Sequence, residues 1–329
     1  MPAEIHTEVI VAALALACRA PSIHNSQPWR WVKTDHHVEL FADPARLLRA
    51  ADTTGREALI SCGAVLDHFR VAMSAAGWHT SVKRFPDPGD PLHLATVEFT
   101  AAAVCDEHTR RADAILLRRT DRLPLSTPPD WPRLAHSLSE HAGSDAVRVD
   151  VIADQSRDSV VDASQLAEEL HRHDPEYQSE LSWWTADFVT SDGIPPSALI
   201  SAAESGRVVA GRTFPMVGQR ERRGEVNDDR SKILVLSTED TSNENVLRCG
   251  EALSTVLLDA AMAGMATCTL THITEVPAGR EIIASLIPGD VIPQVLVRVG
   301  RAPALDATAP PTPRRPIEQV LHIVRGQTC

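Results

Sequence analysis

The chain has 329 residues, which is longer than a single hydrophobic core usually extends, so two core-forming units are expected. A composition of 43% hydrophobic and 23% charged residues is typical of a folded globular protein. The net charge of −12, with no long basic cluster, argues against a nucleic-acid or anionic-membrane surface. The six cysteines stand singly, without metal or disulfide spacing, so no metal site is predicted and a reducing compartment is expected.

The first predicted element is a helix over the apolar run Val9 to Ala17. This run is far shorter than a membrane span and lacks the basic flank of a signal peptide, so a cytoplasmic location is expected. Pro21 cannot continue the helix, which places the polar side chains of RAPSIHNSQPWRW, residues 19 to 31, in a loop where they could address a ligand. A capping turn with Trp29 and Trp31 as core anchors is an equally good interpretation.

An internal repeat organises the chain. CGAVLDHFRVAMSAAG, residues 62 to 77, aligns without a gap with CGEALSTVLLDAAMAG, residues 249 to 264. Apolar residues at helical spacing and a final glycine predict a long helix for each copy. Small residues on both copies would let the two helices approach closely, as expected if two halves pack as a pseudo-dimer. The alternative is two unrelated alanine-rich helices.

Strands are predicted where short runs alternate or are rich in β-branched residues. These runs are WRWVKTD, HVELFAD and HLATVEFT in the first half, and VRVDVIAD, KILVLST and QVLVRVG in the second. Strands and helices that do not alternate one for one favour an α+β sandwich over a doubly wound sheet. No GxGxxG or Walker loop supports a Rossmann or P-loop site.

The boundary between the halves is predicted within residues 100 to 110, giving a first unit of residues 1–105 and a second of residues 106–329. In the second unit, residues 192–230 lack clear periodicity, and their length predicts a lid or flap rather than a tight connection. The proline-rich stretch of residues 302–320 predicts an extended arm that wraps the body.

Two arginine-rich segments offer donors for an anion. LLRRTDRLPL, residues 116 to 125, carries three arginines around Thr120, and TPRRP, residues 312 to 316, holds two arginines between prolines that restrict the backbone. Guanidinium groups match the geometry and charge of phosphate oxygens. Surface salt bridges for the first segment and a polar tail for the second are the alternatives.

These segments together resemble a known family. APSIHNSQPWRW, residues 20 to 31, is similar to the signature of FMN-dependent nitroreductases, in which a helix ends in APS and is followed by an Asn and QPW. RRTDR, residues 118 to 122, resembles that family's Arg-Arg-Ser-x-Arg flavin-phosphate motif, with Thr120 at the serine position. The late Gly-x-Ala-Thr and the terminal arginine pair also fit, and the whole arrangement resembles the mycobacterial Acg-type proteins.

The order of the motifs differs from an ordinary member, where the arginine motif precedes the APS motif and each FMN lies across a homodimer interface. Here the APS loop lies only in the first half and the arginine motif only in the second. The resemblance therefore implies an α+β fold of two tandem nitroreductase-like α/β sandwich units fused into a pseudo-dimer. It also implies one composite site with one FMN per chain, loss of the second site, and a monomer or weak oligomer.

The resemblance also implies roles for individual residues. The flavin ring edge is assigned to Pro21, Ser22, Ile23 and Asn25, with Gln27 nearby, and the pyrimidine side of the ring to Arg122. The phosphate and ribityl chain are assigned to Arg118, Arg119 and Thr120, with Arg314 or Arg315 also at the phosphate. A loop of Thr267, Cys268, Thr269 and Leu270 is expected to present backbone amides to the ring. No catalytic residue is assigned, because hydride transfer to flavin needs no protonating side chain. Cys268 has no obvious base and is expected to pack rather than react.

The implied function is that of an NAD(P)H-dependent nitroreductase-type oxidoreductase. A reduced nicotinamide, NADH or NADPH, would give hydride to FMN, and a nitro compound or quinone would accept the electrons. The alternative, motivated by residues 192–230, is an FMN-sequestering or storage protein with a lid over the flavin and little or no nitroreductase turnover. A flavin-free interaction protein that retains the scaffold is a third hypothesis.

Overall fold

The computed structural model describes residues 5–186, 191–215, 220–305 and 310–324. The helices of these residues are α1 Thr7–Ala17, α2 Arg56–Ala75, α3 Asp106–Leu117, α4 Trp131–Ala142, α5 Arg157–Arg172, α6 Pro175–Trp184, α7 Ala202–Ser205, α8 Asn243–Met262, α9 His272–Glu275, α10 Pro277–Ser285 and α11 Ile317–Val320. The strands are β1 Trp29–Lys33, β2 Val38–Ala42, β3 Trp78–Arg84, β4 His93–Ala101, β5 Val147–Val151, β6 Lys232–Thr238, β7 Ala266–Leu270, β8 Ile292–Gly300 and β9 Leu321–Ile323.

The strands form two separate sheets. The first has the order β3-β4-β2-β1-β9 and the second the order β5-β6-β8-β7. All pairs are antiparallel except β9, which lies parallel to β1 with Leu321 opposite Trp31. The last strand of the chain therefore completes the sheet that the first hundred residues begin.

Burial along the strands explains how each sheet is covered. In β1 and β2 every second residue is buried, because one face of this sheet packs on α1 and α2. In β8 nearly every residue is buried, because the second sheet is covered on both faces. One face packs on α4 and α8 and the other on α5 and α10. Each sheet with its helices thus forms an α+β unit with its own core.

The two units meet through the central helices α2 and α8, which carry the two copies of the repeat. A Cβ atom on Gly63 would lie 2.0 Å from the carbonyl oxygen of Leu247 and 2.8 Å from the Cα of Gly250. A Cβ atom on Gly250 would lie 2.1 Å from the carbonyl oxygen of Ile60. Only glycine allows this approach, so the Cys-Gly pair that opens each copy is the crossing point. The prediction of two long, closely packed helices is confirmed.

Helix α2 has a second property that follows from its position. Within the described ranges it is the helix long and apolar enough, by composition, to cross a membrane. However, 78% of its most apolar window is buried inside the protein. Its hydrophobicity is accounted for by packing between α1 and α8.

Residues 192–230 follow an irregular path, and residues 216–219 of this stretch lie outside the described residues. The described parts contain a 3₁₀ turn at Pro196–Ala198 and the single-turn helix α7. In the C-terminal arm, residues 306–309 likewise lie outside the described residues, and the part from residue 310 runs extended to α11.

Candidate functional site

A cavity of about 920 Å³ lies between the two units. Its volume is in the range of ligand pockets, roughly 300 to 1,000 Å³. The first unit contributes the loop after α1 and the start of α2, and the second contributes the arginine motif, β7, α5 and residues 205–214. Ser22 and Thr120, which come from opposite units, both line it.

The predicted site residues divide into two groups. Those that line the cavity are Pro21, Ser22, Ile23, Thr120, Arg122, Cys268, Thr269 and Leu270. Those that do not are Asn25, Gln27, Arg118, Arg119, Thr267, Arg314 and Arg315. The second group lies in the structure that surrounds the cavity, where most of its members have other partners.

The loop after α1 takes a strained path. His24, Asn25 and Gln27 have φ values of 45°, 57° and 52°, a region that residues other than glycine seldom adopt. The path is held by hydrogen bonds, because Gln27 N donates to Ser22 Oγ at 3.0 Å and Ile23 N donates to Ser61 Oγ at 3.1 Å. The hydroxyl of Ser22 is thereby fixed at the cavity wall.

Asn25 and Gln27 use their side chains to hold neighbouring segments. The Asn25 amide donates to the carbonyls of Gly193 and Pro313, at 2.9 and 3.1 Å. The Gln27 amide donates to Ser191 O at 3.0 Å, and its Oε1 accepts from Arg315 N at 2.9 Å. These two residues therefore join the loop to the segment that begins at residue 191 and to the C-terminal arm.

The predicted loop at residues 267–270 is wrong, because these residues lie in strand β7. The threonines on either side of Cys268 are β-branched and favour a strand. As β7 is the edge strand of its sheet, its outer side is open to Asp121 N, which donates to Thr267 O at 2.8 Å. The next three residues line the cavity. Burial raises the pKa of the Cys268 thiol, which does not favour a nucleophilic thiolate.

Four guanidinium groups gather where α1 ends and the arginine motif begins. They belong to Arg19, Arg118, Arg119 and Arg314. Burial together with repulsion from Arg119 and Arg19 lowers the pKa of Arg118 to about 10, and burial with the other three arginines lowers that of Arg314. In the part of the chain that the structure describes, none of the four pairs with a carboxylate. Such an uncompensated cluster fits an anion such as a phosphate.

The members of this arginine cluster differ in how many donors they have free. Arg118 is 7% exposed, donates from Nη2 to Arg19 O at 3.1 Å, and has no partner for Nε. Arg119 is exposed and donates to Leu116 O and Arg118 O, at 2.7 and 2.9 Å. Arg19, which the sequence analysis did not assign to the site, forms no side-chain hydrogen bond with a described residue. Arg19 and Arg118 thus offer unused donors.

Arg314, in contrast, is engaged by backbone carbonyls. Its guanidinium donates to Cys18 O, Arg19 O, Ala20 O, Thr312 O and Pro313 O, at 2.9 to 3.3 Å. Three of these carbonyls follow the last turn of α1, where a cation is favourable. Arg315 lies away from the cluster, with contacts to Gln27 O at 3.5 Å and to the Asp43 carboxylate at 3.6 Å. The structure brings Arg314 to Arg118, and it does not bring Arg315 there.

Arg122 enters the cavity from the other end of the motif. Its guanidinium lies 5.2 Å from the ring centre of Phe214 and donates to Ala198 O at 3.2 Å. The preceding carboxylate, Asp121, accepts two hydrogen bonds from the buried Arg223, at 2.9 and 3.2 Å. This bidentate pair fixes the backbone from which Arg122 projects.

A buried polar network on the cavity wall was not predicted from the sequence. Arg212 donates to the Tyr177 hydroxyl and to the Glu275 carboxylate. His272 contacts Ser164 Oγ through Nε2 at 2.8 Å, and burial lowers the pKa of His272 to about 3. His24 and Glu57 line the same cavity. The motif of residues 19–31 contains His24, but no motif pointed to the other residues, because they come from five separate segments.

Sequence comparisons extend over almost the whole chain. It is 58% identical over 320 residues to "Putative NAD(P)H nitroreductase acg" of Mycobacterium tuberculosis, covering 97% of each chain. A second protein of that organism, named only as uncharacterized, is 51% identical over 94% of this chain and 92% of its own length. A third, also named "Putative NAD(P)H nitroreductase", is 37% identical over 96% of this chain and 91% of its own. No family model matches the sequence.

Solved structures align with the chain at much lower sequence identity. A nitroreductase with bound FMN from Desulfitobacterium hafniense aligns with a TM-score of 0.42 and 15% identity, over 65% of this chain and 98% of that one. A "putative nitroreductase" from Anabaena variabilis aligns with a TM-score of 0.48 and 9% identity, over 89% of this chain and 73% of that one.

The two sheet-and-helix units that meet at the cavity confirm the predicted α+β fold class. With 58% identity over 97% of its length, the chain belongs to the Acg-type family of NAD(P)H nitroreductase-like proteins, as its motifs suggested.

Proposed function

We propose that this protein is a flavoprotein that binds one FMN per chain and acts as an NAD(P)H-dependent nitroreductase-type oxidoreductase. The observation that carries the proposal is the arginine cluster beside a cavity lined by both units. FMN, when bound, would take hydride from a reduced nicotinamide and pass electrons to a nitro compound or quinone. The division after residue 105, with β9 returning to the sheet of the first unit, belongs to this proposal, as do the single site, the pseudo-dimeric monomer and a cytoplasmic location.

The residues present fit FMN at its phosphate end. The Nε of the buried Arg118 and the guanidinium of Arg19 are donors that no described residue satisfies. The phosphate of FMN carries two negative charges and would relieve the repulsion within the cluster. We therefore assign the phosphate to Arg118, Arg119 and Arg19. Arg314 would act mainly by electrostatic attraction, because its donors are engaged by carbonyls.

The cavity fits the remainder of the molecule. The ribityl chain needs hydroxyl partners, which Ser22 and Thr120 offer at the cavity wall. The flavin ring is largely apolar, and Pro21, Ile23 and Leu270 line the cavity where backbone groups of β7 are also available. Reduced flavin is negatively charged, and a lining guanidinium such as Arg122 would stabilise this form.

The phosphate assignment is tested by titrating the apoprotein with FMN and with riboflavin, which lacks the phosphate. Arg118→Ala should weaken FMN binding by about 1 to 3 kcal/mol, the range for charge-assisted hydrogen bonds, and leave riboflavin binding unchanged. Arg110→Ala removes the same charge from an exposed position on α3, the helix that ends just before Arg118, and should change neither affinity. Equal FMN affinity in Arg118→Ala and Arg110→Ala would contradict the assignment. Two FMN molecules per chain at saturation would contradict the single site.

The hydrogen bonds and ion pairs of residues 191–215 favour a second function. This segment accepts hydrogen bonds from Asn25 and Arg122, and Arg46 and Asp192 form an ion pair at its start. At its C-terminal end Arg212 forms an ion pair with Glu275, and the Phe214 ring packs edge-on against the His24 ring. A segment held at both ends would hinder a nicotinamide from reaching bound flavin. This supports the alternative of an FMN-sequestering or storage protein with little or no turnover.

Anaerobic mixing of the FMN-loaded protein with NADH or NADPH separates the two functions. Rapid loss of the oxidised flavin absorbance supports the oxidoreductase. Reduction by dithionite but not by either nicotinamide supports sequestration. A protein that takes up no FMN would refute both and favour a flavin-free interaction protein.

A further inference from the structure

Besides His272 Nδ1, two buried polar side chains on the cavity wall have hydrogen-bonding groups that no described residue satisfies. His24 is 6% exposed, and neither of its ring nitrogens has a partner. Glu57 is 2% exposed, and its Oε2 has no partner. Both residues line the cavity. Since buried polar groups in native proteins are nearly always hydrogen-bonded, these groups indicate a polar atom of a ligand.

The segments that carry the two side chains are joined by one hydrogen-bonded chain. The Ser61 hydroxyl donates to Glu57 O at 2.7 Å, one turn earlier on α2, and accepts from Ile23 N at 3.1 Å. The loop that carries His24 is thereby fixed to the turn of α2 that carries Glu57. The φ of 45° at His24 is a strained value that this attachment maintains. His24 also lies edge-on to Phe214, with ring centres 6.4 Å apart.

The surroundings of Glu57 favour its protonated form. Burial and the nearby Glu275 carboxylate, with Asp52 adding to them, raise the pKa of Glu57 well above its ordinary value. Arg56, which donates to Oε1 at 2.9 Å, and Arg212 oppose this rise. For Glu275, burial also opposes ionisation, but Arg212 and His171 hold its pKa below the ordinary value. Adjacent carboxyls with opposite shifts are typical of sites that divide acid and base roles.

We propose that Glu57 is the acid that protonates an electron acceptor bound in the cavity, with His24 orienting the acceptor oxygen. The acceptor class is a small quinone or similar compound that must gain a proton together with its electrons. This inference rests on the proposed function, because the electrons come from the reduced flavin. It adds a catalytic residue that the motifs of the chain do not assign.

The step balances for a quinone. The quinone gains two electrons and one proton as a hydride equivalent, with the proton on one of its oxygens. Its second oxygen takes a proton from Glu57. The O–H bond of the Glu57 carboxyl breaks as an O–H bond forms on the acceptor, and the product is a hydroquinone. Glu57 is left as a carboxylate beside Arg56, and it regains a proton from water that enters after product release.

The test compares Glu57→Gln, which keeps the shape but removes the acid, with Glu57→Asp, which keeps the acid. Each FMN-loaded protein is reduced with dithionite, and reoxidation is followed by anaerobic stopped flow with p-benzoquinone and with ferricyanide. Ferricyanide takes up single electrons and no proton. Glu98→Gln, at an exposed position on β4, is the matched control and should behave as wild type.

In Glu57→Gln, reoxidation by benzoquinone should slow by roughly 10²-fold, the scale of general acid catalysis, while the ferricyanide rate stays unchanged. The wild-type benzoquinone rate should fall as pH rises through the pKa of Glu57, and the Glu57→Gln rate should show no such fall. Glu57→Asp should retain part of the rate and the pH dependence. An unchanged benzoquinone rate, or equal slowing with both acceptors, would overturn the role of Glu57.

A second readout needs no flavin. At a pH above the ordinary pKa of a glutamate, the infrared difference spectrum between wild-type and Glu57→Gln apoprotein should contain the C=O stretch of a protonated carboxyl. Its absence, with a carboxylate band in its place, would overturn the inference. A protein that binds no FMN would refute the proposed function itself. FMN-loaded protein with normal benzoquinone kinetics in Glu57→Gln would refute only the inference.

Discussion

The crossing of α2 and α8 makes a quantitative prediction for a single methyl group. In Gly63→Ala the new Cβ would lie 2.0 Å from Leu247 O and 2.8 Å from the Cα of Gly250, unless the helices move. Both obstacles are backbone atoms of a helix, so no side-chain rotation can relieve the contact. Overpacking in a core costs roughly 1 to 3 kcal/mol, occasionally more. We expect a loss at the upper end, about 3 kcal/mol.

The measurement is the free energy of unfolding from urea titration, followed by circular dichroism. Gly206→Ala is the control, since its Cβ would meet nothing closer than 3.9 Å and its φ of −65° suits alanine. Its stability should stay within about 1 kcal/mol of wild type. A Gly63→Ala variant as stable as this control would refute the close-contact argument.

The double variant Gly63→Ala, Gly250→Ala tests whether the two contacts belong to one crossing. The Cβ of Gly250 would lie 2.1 Å from Ile60 O, so the second substitution alone should cost a similar amount. A single outward shift of α8 from α2 relieves both contacts, so the combined loss should be clearly smaller than the sum of the two. Strict additivity would show that the two sites relax independently, against this reasoning.

Two further predictions concern stability. Arg314→Ala should lower the free energy of unfolding in urea by about 3 kcal/mol, because carbonyls at the end of α1 lose charge-assisted donors. Arg315→Ala loses one exposed hydrogen bond, to Gln319 O at 3.0 Å, and two longer contacts, so it should cost about 1 kcal/mol or less; equal losses would count against the capping role. Burial lowers the pKa of His272 from 6.5 to about 3. Between these two pH values the unfolded chain therefore binds more protons than the folded chain, so the free energy of unfolding decreases as the pH falls through this range. His272→Gln should therefore reduce the slope of the free energy of unfolding against pH in this range by up to about 1.4 kcal/mol per pH unit. The control His79→Gln, at an exposed position, should not reduce this slope. Identical pH profiles for the two variants would exclude His272 as the source.

The sequence by itself determined those features that local chemistry encodes. The repeat predicted α2 and α8 because helical spacing and a terminal glycine are written in a few consecutive residues. Pro21 ended α1 for an equally local reason, since it has no N–H group to continue the helix. The motifs at residues 20–31 and 118–122 indicated the family, and near full-length identity to its members confirmed it.

Only the tertiary structure decided which side chains meet. β7 was mistaken for a loop, although its threonines favour a strand, because no local pattern records its pairing with β8. The three-residue strand β9 was missed for the same reason, as it exists by pairing with β1. The donors of Arg314 are engaged by carbonyls almost three hundred positions away in the chain, which no local pattern records. Glu57 and His24 acquire their burial and their shared cavity from the packing of both units, so their chemistry could be read only after folding had brought those units together.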